Sequence, residues 1–233
     1  IEGGKMKYSK DIDKIEVKRL VQKWFIMSTL TSRYIGSPES QMDKDLRSIA
    51  AKGFKEYFRE VEEAELSETF WTVGLVQNLE TSSINSPYFN TYIAAQVWNA
   101  EASLFSNTTK VADLISVMGD VHHIFPKEYL KQNGYEDKAK YNQVANYTYL
   151  DTGVNISIGK KAPNEYFAQA KEQCLNGQCC IGTILNEYDL MNNLKINCIP
   201  EGIYTMQAGD YETFLQERRK MMAEKIKNYY YSI

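Results

Sequence analysis

Two tripeptides, Gly36-Ser37-Pro38 and Asn85-Ser86-Pro87, constrain the fold of this chain more than any other feature. Each closes one element and opens a helix. The serine side chain can cap the new helix, and proline sits at the first helical position, where its missing N–H costs nothing. The segments they bound carry helical periodicity. From about Lys14 to Arg33, the apolar residues Ile15, Leu20, Val21, Trp24, Phe25 and Leu30 are expected to share one face. Met42, Leu46, Ile49, Ala50, Phe54, Tyr57, Phe58 and Val61 then repeat at three and four, with Asp43, Lys44, Arg47, Lys52 and Glu60 on the wet side. Ser67 is placed to cap a short helix holding Phe70, Trp71 and Leu75, and beyond Pro87 a helix carries Phe89, Tyr92, Ile93, Val97 and Ala100. Residues 1–110 read as an all-helical layer whose aromatic stripes form core.

The C-terminal third returns to helix. CLNGQCCIGT reads as a loop, Leu185 to Leu194 as a short helix, and Cys198-Ile199-Pro200-Glu201-Gly202 as its end. Asp210 caps a terminal helix with Tyr211, Phe214, Leu215, Met222, Ile226 and Tyr229 on its apolar side. Arg218, Arg219, Lys220, Lys225 and Lys227 fall on its other faces, either as a solvated surface or as a DNA contact. The fold class expected is mainly α with a small α+β core. Three regions follow: a helical flank over 1–112, a core over 113–172, and a C-terminal helical region over 173–233 that packs on the first.

Composition narrows the function. An apolar fraction of 43% with 12% aromatic residues supplies a packed core. No apolar run approaches the roughly 20 residues that span a bilayer, and IEGGKMKYSK has no signal-peptide core. A cytoplasmic, prokaryotic protein is expected, with no membrane partner. The net charge of −3 speaks against a generally basic nucleic-acid binder but leaves room for a local basic groove. Between Val117 and Lys171 there are 7 lysines against 6 acidic residues. The four cysteines, Cys174, Cys179, Cys180 and Cys198, lack paired C-x-x-C spacing and read as reduced thiols.

The helical pattern breaks from Asp120 to Lys161. Both histidines of the chain, His122 and His123, stand here side by side in DVHHIFPKEYL. Asn146 and Asn155 follow, nine residues apart, and then Lys160 and Lys161. Hydrolysing a phosphodiester requires a base for water, stabilisation of the pentavalent phosphate and neutralisation of the leaving oxygen. A histidine titrating near neutrality serves the first need, and a divalent cation serves the others. Adjacent residues of a strand point to opposite sides. Two neighbouring histidines can therefore share one site only if the strand ends and twists there, and Pro126 permits such an ending, with a helix starting at Lys127. Asn146, in the apolar strand-like run VANYTYL, needs backbone partners and is suited to pin the histidine loop. Asn155, after the turn Asp151-Thr152-Gly153, can offer an amide oxygen to a hard cation such as Mg²⁺ or Mn²⁺.

In this register of H-H-I-x-P, strand Asn, second Asn and lysines, the sequence resembles the HNH (ββα-metal) endonucleases. It is most similar to the C-terminal nuclease part of the GmrSD-type, modification-dependent (type IV) restriction proteins. SRYIGSPESQMDKDLRSIA, LETSSINSPYFNTYIAAQ, GDVHHIFPKEYLKQNG, NCIPEG and FLQERRKMMAEKIKNYY extend the likeness from about residue 15 to the end. The resemblance implies His123 as general base, His122 and Asn155 as metal ligands with Asp120 as a further acidic one, and Asn146 as the residue fixing the catalytic loop. Lys160 joins the catalytic set, and Lys127, Lys160 and Lys161 are expected on the nucleic acid. The third motif position is Asn rather than His, which favours Mg²⁺ or Mn²⁺ over Zn²⁺.

The function expected is metal-dependent cleavage of double-stranded, foreign or modified DNA, in restriction and antiviral defence. The alternatives are a catalytically silent DNA-binding or scaffold domain, and an RNase or toxin nuclease. Such proteins carry an N-terminal nucleotide-hydrolysing domain with a D-G-Q-Q-R-like motif. Neither that motif nor a Walker-type G-x-x-x-x-G-K is present, and the chain begins at Ile1 rather than Met. It is therefore expected to be the C-terminal portion of a longer protein, partnered by that missing domain or by a second copy.

Overall fold

The computed structural model describes residues 14–117, 119 and 121–233. The chain is mainly helical, with one two-stranded antiparallel sheet. It divides into two compact units, residues 14–70 with Tyr230–Ile233, and Trp71–Tyr229.

The first unit holds α1 (Lys14–Leu30), α2 (Pro38–Lys52) and α3 (Phe54–Glu65). The long periodic run is thus two helices, broken at Gly53, whose φ of 88° lies in the left-handed region open to glycine. The expected faces are corrected as well. Ile15, Val21, Phe25, Met42 and Leu46 are exposed, whereas Ile26, Met27 and Leu30 are buried. The buried side of α1 is set by Trp24, which packs against Phe54, Tyr57 and Phe58 with ring centroids 5.9–6.4 Å apart, and this selects a stripe rotated from the most apolar one. A buried carboxylate, Asp45, organises the unit. It accepts hydrogen bonds from Arg33 (2.6 and 3.0 Å), Tyr34 (2.8 Å), Gln41 (2.8 Å) and Tyr57 (2.8 Å). Burial alone would raise its pKa, but these donors, Arg33 first, outweigh it and hold the carboxyl at about 2.

The second unit opens with a π-helical turn (Phe70–Gly74) leading into α4 (Leu75–Asn78), followed by α5 (Pro87–Trp98). Ser86 caps α5 as expected, its hydroxyl accepting from Phe89 N at 3.1 Å. Next come α6 (Val111–Ser116), β1 (Val121–His123), α7 (Lys127–Gln132), α8 (Lys138–Tyr141), β2 (Tyr147–Tyr149), α9 (Thr152–Ile158), α10 (Pro163–Asn176), α11 (Glu187–Ile196) and α12 (Tyr211–Ser232). Cys174 lies within α10, so only the later part of CLNGQCCIGT is loop. Gln173 binds that loop, accepting from Cys180 N and Ile181 N and donating to Ile181 O and Ile184 O. No disulfide joins the four cysteines.

The cations of α12 are corrected too. Arg218 is fully buried and Arg219 nearly so. Arg218 occupies the apolar stripe itself, four residues after Phe214 and four before Met222. Lys225 is ion-paired to the buried Glu101. Among the described residues, no helix is long and apolar enough to cross a membrane.

Candidate active site

β1 and β2 pair antiparallel in the register Val121↔Tyr149, His122↔Thr148 and His123↔Tyr147. β1 ends at His123, and the chain bends at Ile124 and Phe125 before Pro126 opens α7. That early ending lets both histidines border one cleft of about 290 Å³. Val121, His122, His123, Pro126, Lys127, Glu128, Asn155, Gly159 and Lys160 line it. A hairpin strand, the start of α7, and Asn155 of one further helix with the two residues just after that helix therefore meet at this cleft.

Asn146 lies beneath this surface, with no solvent exposure. It sits in a 3-10 turn (Val144–Asn146) just before β2, one step ahead of the strand anticipated for it. Its backbone carbonyl accepts from Ile124 N at 2.8 Å. Its amide oxygen accepts from Phe125 N at 2.7 Å, and its amide nitrogen donates to Phe125 O (3.1 Å) and Tyr141 O (3.3 Å). One side chain thus fixes both backbone groups of the residue two positions after His123. Tyr166 adds a hydrogen bond to Ile124 O at 2.6 Å, and Phe125 packs on Tyr211 and Phe214 at 5.1 and 4.8 Å. The bend after the histidines is held from every side.

His123 stands edge-on to the Tyr147 ring at 5.2 Å, and its Nε2 lies 2.9 Å from Asn142 Oδ1. An amide oxygen only accepts, so this contact suits the tautomer with the proton on Nε2 and the lone pair on Nδ1. Burial lowers the pKa of this imidazole. The Asn142 hydrogen bond opposes that shift, and the charges of Lys127 and His122 add to it. The ring is therefore neutral at neutral pH, the form able to accept a proton.

Asn155 lies within α9, and the expected turn Asp151-Thr152-Gly153 is instead the capped start of that helix. Asp151 caps this helix by accepting from Gly153 N at 2.8 Å, and Gly159 ends it with φ of 57°. The cap sets where the helix starts and so brings Asn155 and Lys160 onto the wall of the cleft. Lys161 turns elsewhere: its Nζ donates to Ser157 O at 2.8 Å and Gln169 Oε1 at 3.1 Å. Asp120 lies outside the described residues. Among those described, no three His, Cys, Asp or Glu side chains are grouped to hold a metal ion. The lining residues able to donate to a metal ion are His122, His123, Glu128 and Asn155.

Two supporting residues went unread in the sequence. Asn142, in a polar turn, carries no signal of its contact with His123. Arg218 could have been found from its phase on α12. Its Nη1 donates to Ala145 O (2.8 Å) and Tyr147 O (2.7 Å), and its Nη2 to Asn197 O (3.3 Å). A buried guanidinium thus ties the start of β2 to the end of α11.

Fold and cleft define a mainly helical chain whose second unit carries a small hairpin-and-helix site of histidines, amides and lysines. The family model for the C-terminal domain of GmrSD restriction endonucleases matches residues 52–225. The chain belongs to that family. An uncharacterized protein of Methanocaldococcus jannaschii is 24% identical over 226 residues, covering 88% of this chain and 36% of that protein. The chain thus spans about a third of the length of the curated relative it matches. No solved structure matches it.

Proposed function

We propose that this chain is a metal-dependent DNA endonuclease domain of the HNH type, serving restriction of foreign or modified DNA. The observation that carries the reading is the convergence of His122, His123 and Asn155 on one cleft, above a loop pinned by the buried Asn146.

In this reading His123 is the general base, its Nδ1 taking a proton from water held by the scissile phosphate. Asn142 holds the imidazole in the tautomer that leaves Nδ1 free. Asn146 contributes by keeping the bend at Phe125 and touches no substrate. Lys160 and Lys127, both on the cleft wall, receive the phosphate oxygens. Lys161, tethered to Ser157 and Gln169, is left a lesser part. His122 and Asn155 would hold a divalent cation. One nitrogen and one amide oxygen leave most of an octahedron to water, which fits Mg²⁺ or Mn²⁺ and does not fit a closed zinc site. Such an ion supplies charge to the phosphate and the leaving oxygen. Asp120 is a third donor by sequence position. The domain is the C-terminal part of a longer protein, whose nucleotide-hydrolysing part, or a second copy, gates access to His123.

The test is cleavage of plasmid DNA and of RNA with Mg²⁺, Mn²⁺ or EDTA, by wild type and His123→Ala. Plasmid cleavage that requires the cation and falls about 10²–10⁴-fold in the variant is expected. Cleavage of RNA alone would move the reading to a ribonuclease. A His123→Ala variant cutting at the wild-type rate would remove His123 as the base.

A further inference from the structure

A second site lies away from the histidines, between α11 and α12. Two adjoining clefts occur there, of about 480 and 500 Å³, and Lys195 and Met221 line both. Their characters differ. The first is walled by Tyr188, Tyr204, Met191 and Ile199, with Asn192 and Glu201 as polar groups. The second is walled by Asn99, Lys195, Lys220 and Lys225, against the single carboxylate of Glu224. Tyr188 is 80% exposed, and Met191 and Leu185 are also open to solvent. A tyrosine standing this far out of the protein beside an apolar floor presents an unpaired ring face.

A recess with aromatic and apolar walls joined to one bordered by three lysines matches a ligand with an aromatic ring at one end and an anion at the other. We infer that the paired clefts receive one unstacked nucleotide of the substrate strand, its base against Tyr188 and its phosphates against Lys195 and Lys220. The choice of ligand rests on the nuclease reading above. Both lysines are exposed, whereas Lys225 is held by Glu101 and so forms the fixed wall. Asn192 can both donate to and accept from a base edge, and Glu201 can accept from an exocyclic amine. Glu224 is turned toward Asn228, whose amide donates to it at 3.3 Å. The volumes fall within the range of about 300–1,000 Å³ usual for small-ligand sites. Stacking on an aromatic ring is indifferent to base identity, whereas Asn192 and Glu201 would add preference.

The experiment uses a short single-stranded oligonucleotide carrying one fluorescent 2-aminopurine. It is titrated into the 233-residue chain in EDTA, so that no cleavage is needed. Wild type is expected to bind and change the probe's fluorescence. Tyr188→Ala should weaken binding by about 5- to 150-fold and abolish the change, while Tyr188→Phe keeps both. Lys195→Glu with Lys220→Glu should weaken binding and flatten its salt dependence. The changes at all three positions sit on exposed side chains, and circular dichroism checks folding. The inference is overturned if Tyr188→Ala behaves as wild type, or if wild type leaves the probe unchanged, as a surface made for a protein partner would. A wild type that cuts plasmid but ignores the probe sinks this inference alone. One that responds to the probe but cuts nothing sustains it and sinks the nuclease reading.

Discussion

Asn146→Asp isolates what the buried amide does, because it changes the chemistry and keeps the shape. The wild-type side chain makes three hydrogen bonds, one as acceptor from Phe125 N and two as donor to Phe125 O and Tyr141 O. A protonated carboxyl can still accept from Phe125 N and donate to one carbonyl. Only one bond is lost, a cost of about 1 kcal/mol. An ionised carboxylate would face two carbonyl oxygens at 3.1–3.3 Å with no exposure to water, so the folded variant keeps its proton. An acid whose proton is held more tightly when folded loses stability as pH rises above its unfolded pKa of about 3.9. Each pH unit beyond that costs about 1.4 kcal/mol, so the further penalty is about 1 kcal/mol at pH 4.5 and about 4 kcal/mol at pH 7. Against a typical total of about 5–15 kcal/mol, the variant is near unfolding at neutral pH and recovers in acid. The assay is urea denaturation of wild type and variant at both pH values. The difference between them should be about 3 kcal/mol larger at pH 7. A difference that does not change with pH, or a variant as stable as wild type at pH 7, would refute the reasoning that Asn146 acts through its two donated bonds.

Further predictions concern the supports around the site. Arg218→Met removes the donors of Ala145 O, Tyr147 O and Asn197 O and should destabilise the second unit by about 3 kcal/mol in chemical denaturation; a loss below about 1 kcal/mol would make the guanidinium dispensable. Asp45→Asn tests the first unit. The depressed pKa of about 2 means that the carboxylate stabilises above its unfolded pKa, and that this contribution is lost as pH falls through the folded value. The stability gap between wild type and Asp45→Asn should therefore narrow, by about 2 kcal/mol, between pH 4 and pH 2. A gap that stays constant over that window would show that the ionised form is not the one being held.

Local signals in the sequence carried far. Ser86-Pro87 starts its helix because a side-chain oxygen and a fixed φ act on the nearest few residues, whatever the rest of the chain does, whereas Asp151, read as part of a turn, caps a helix. The histidine pair, the two asparagines and Lys160 stood out by residue type and spacing, and the structure brings His122, His123, Asn155 and Lys160 to one cleft. Which face of a helix is buried is not a local property. Ile15, Val21 and Phe25 are more apolar than Lys23, yet α1 buries Lys23, whose Nζ lies over the Tyr230 ring at 4.7 Å, because the partner surface determines the face. Arg218 is the sharpest case. Its charge marks it for solvent, and only the carbonyls of Ala145, Tyr147 and Asn197, brought together from two distant segments, make the interior a better place for it. The sequence determined the mainly helical class and several helix starts, since these depend on propensity and local capping. Tertiary structure decided the buried faces, the Asn142 contact of His123 and the anchoring of β2, since each depends on partners brought together by the fold.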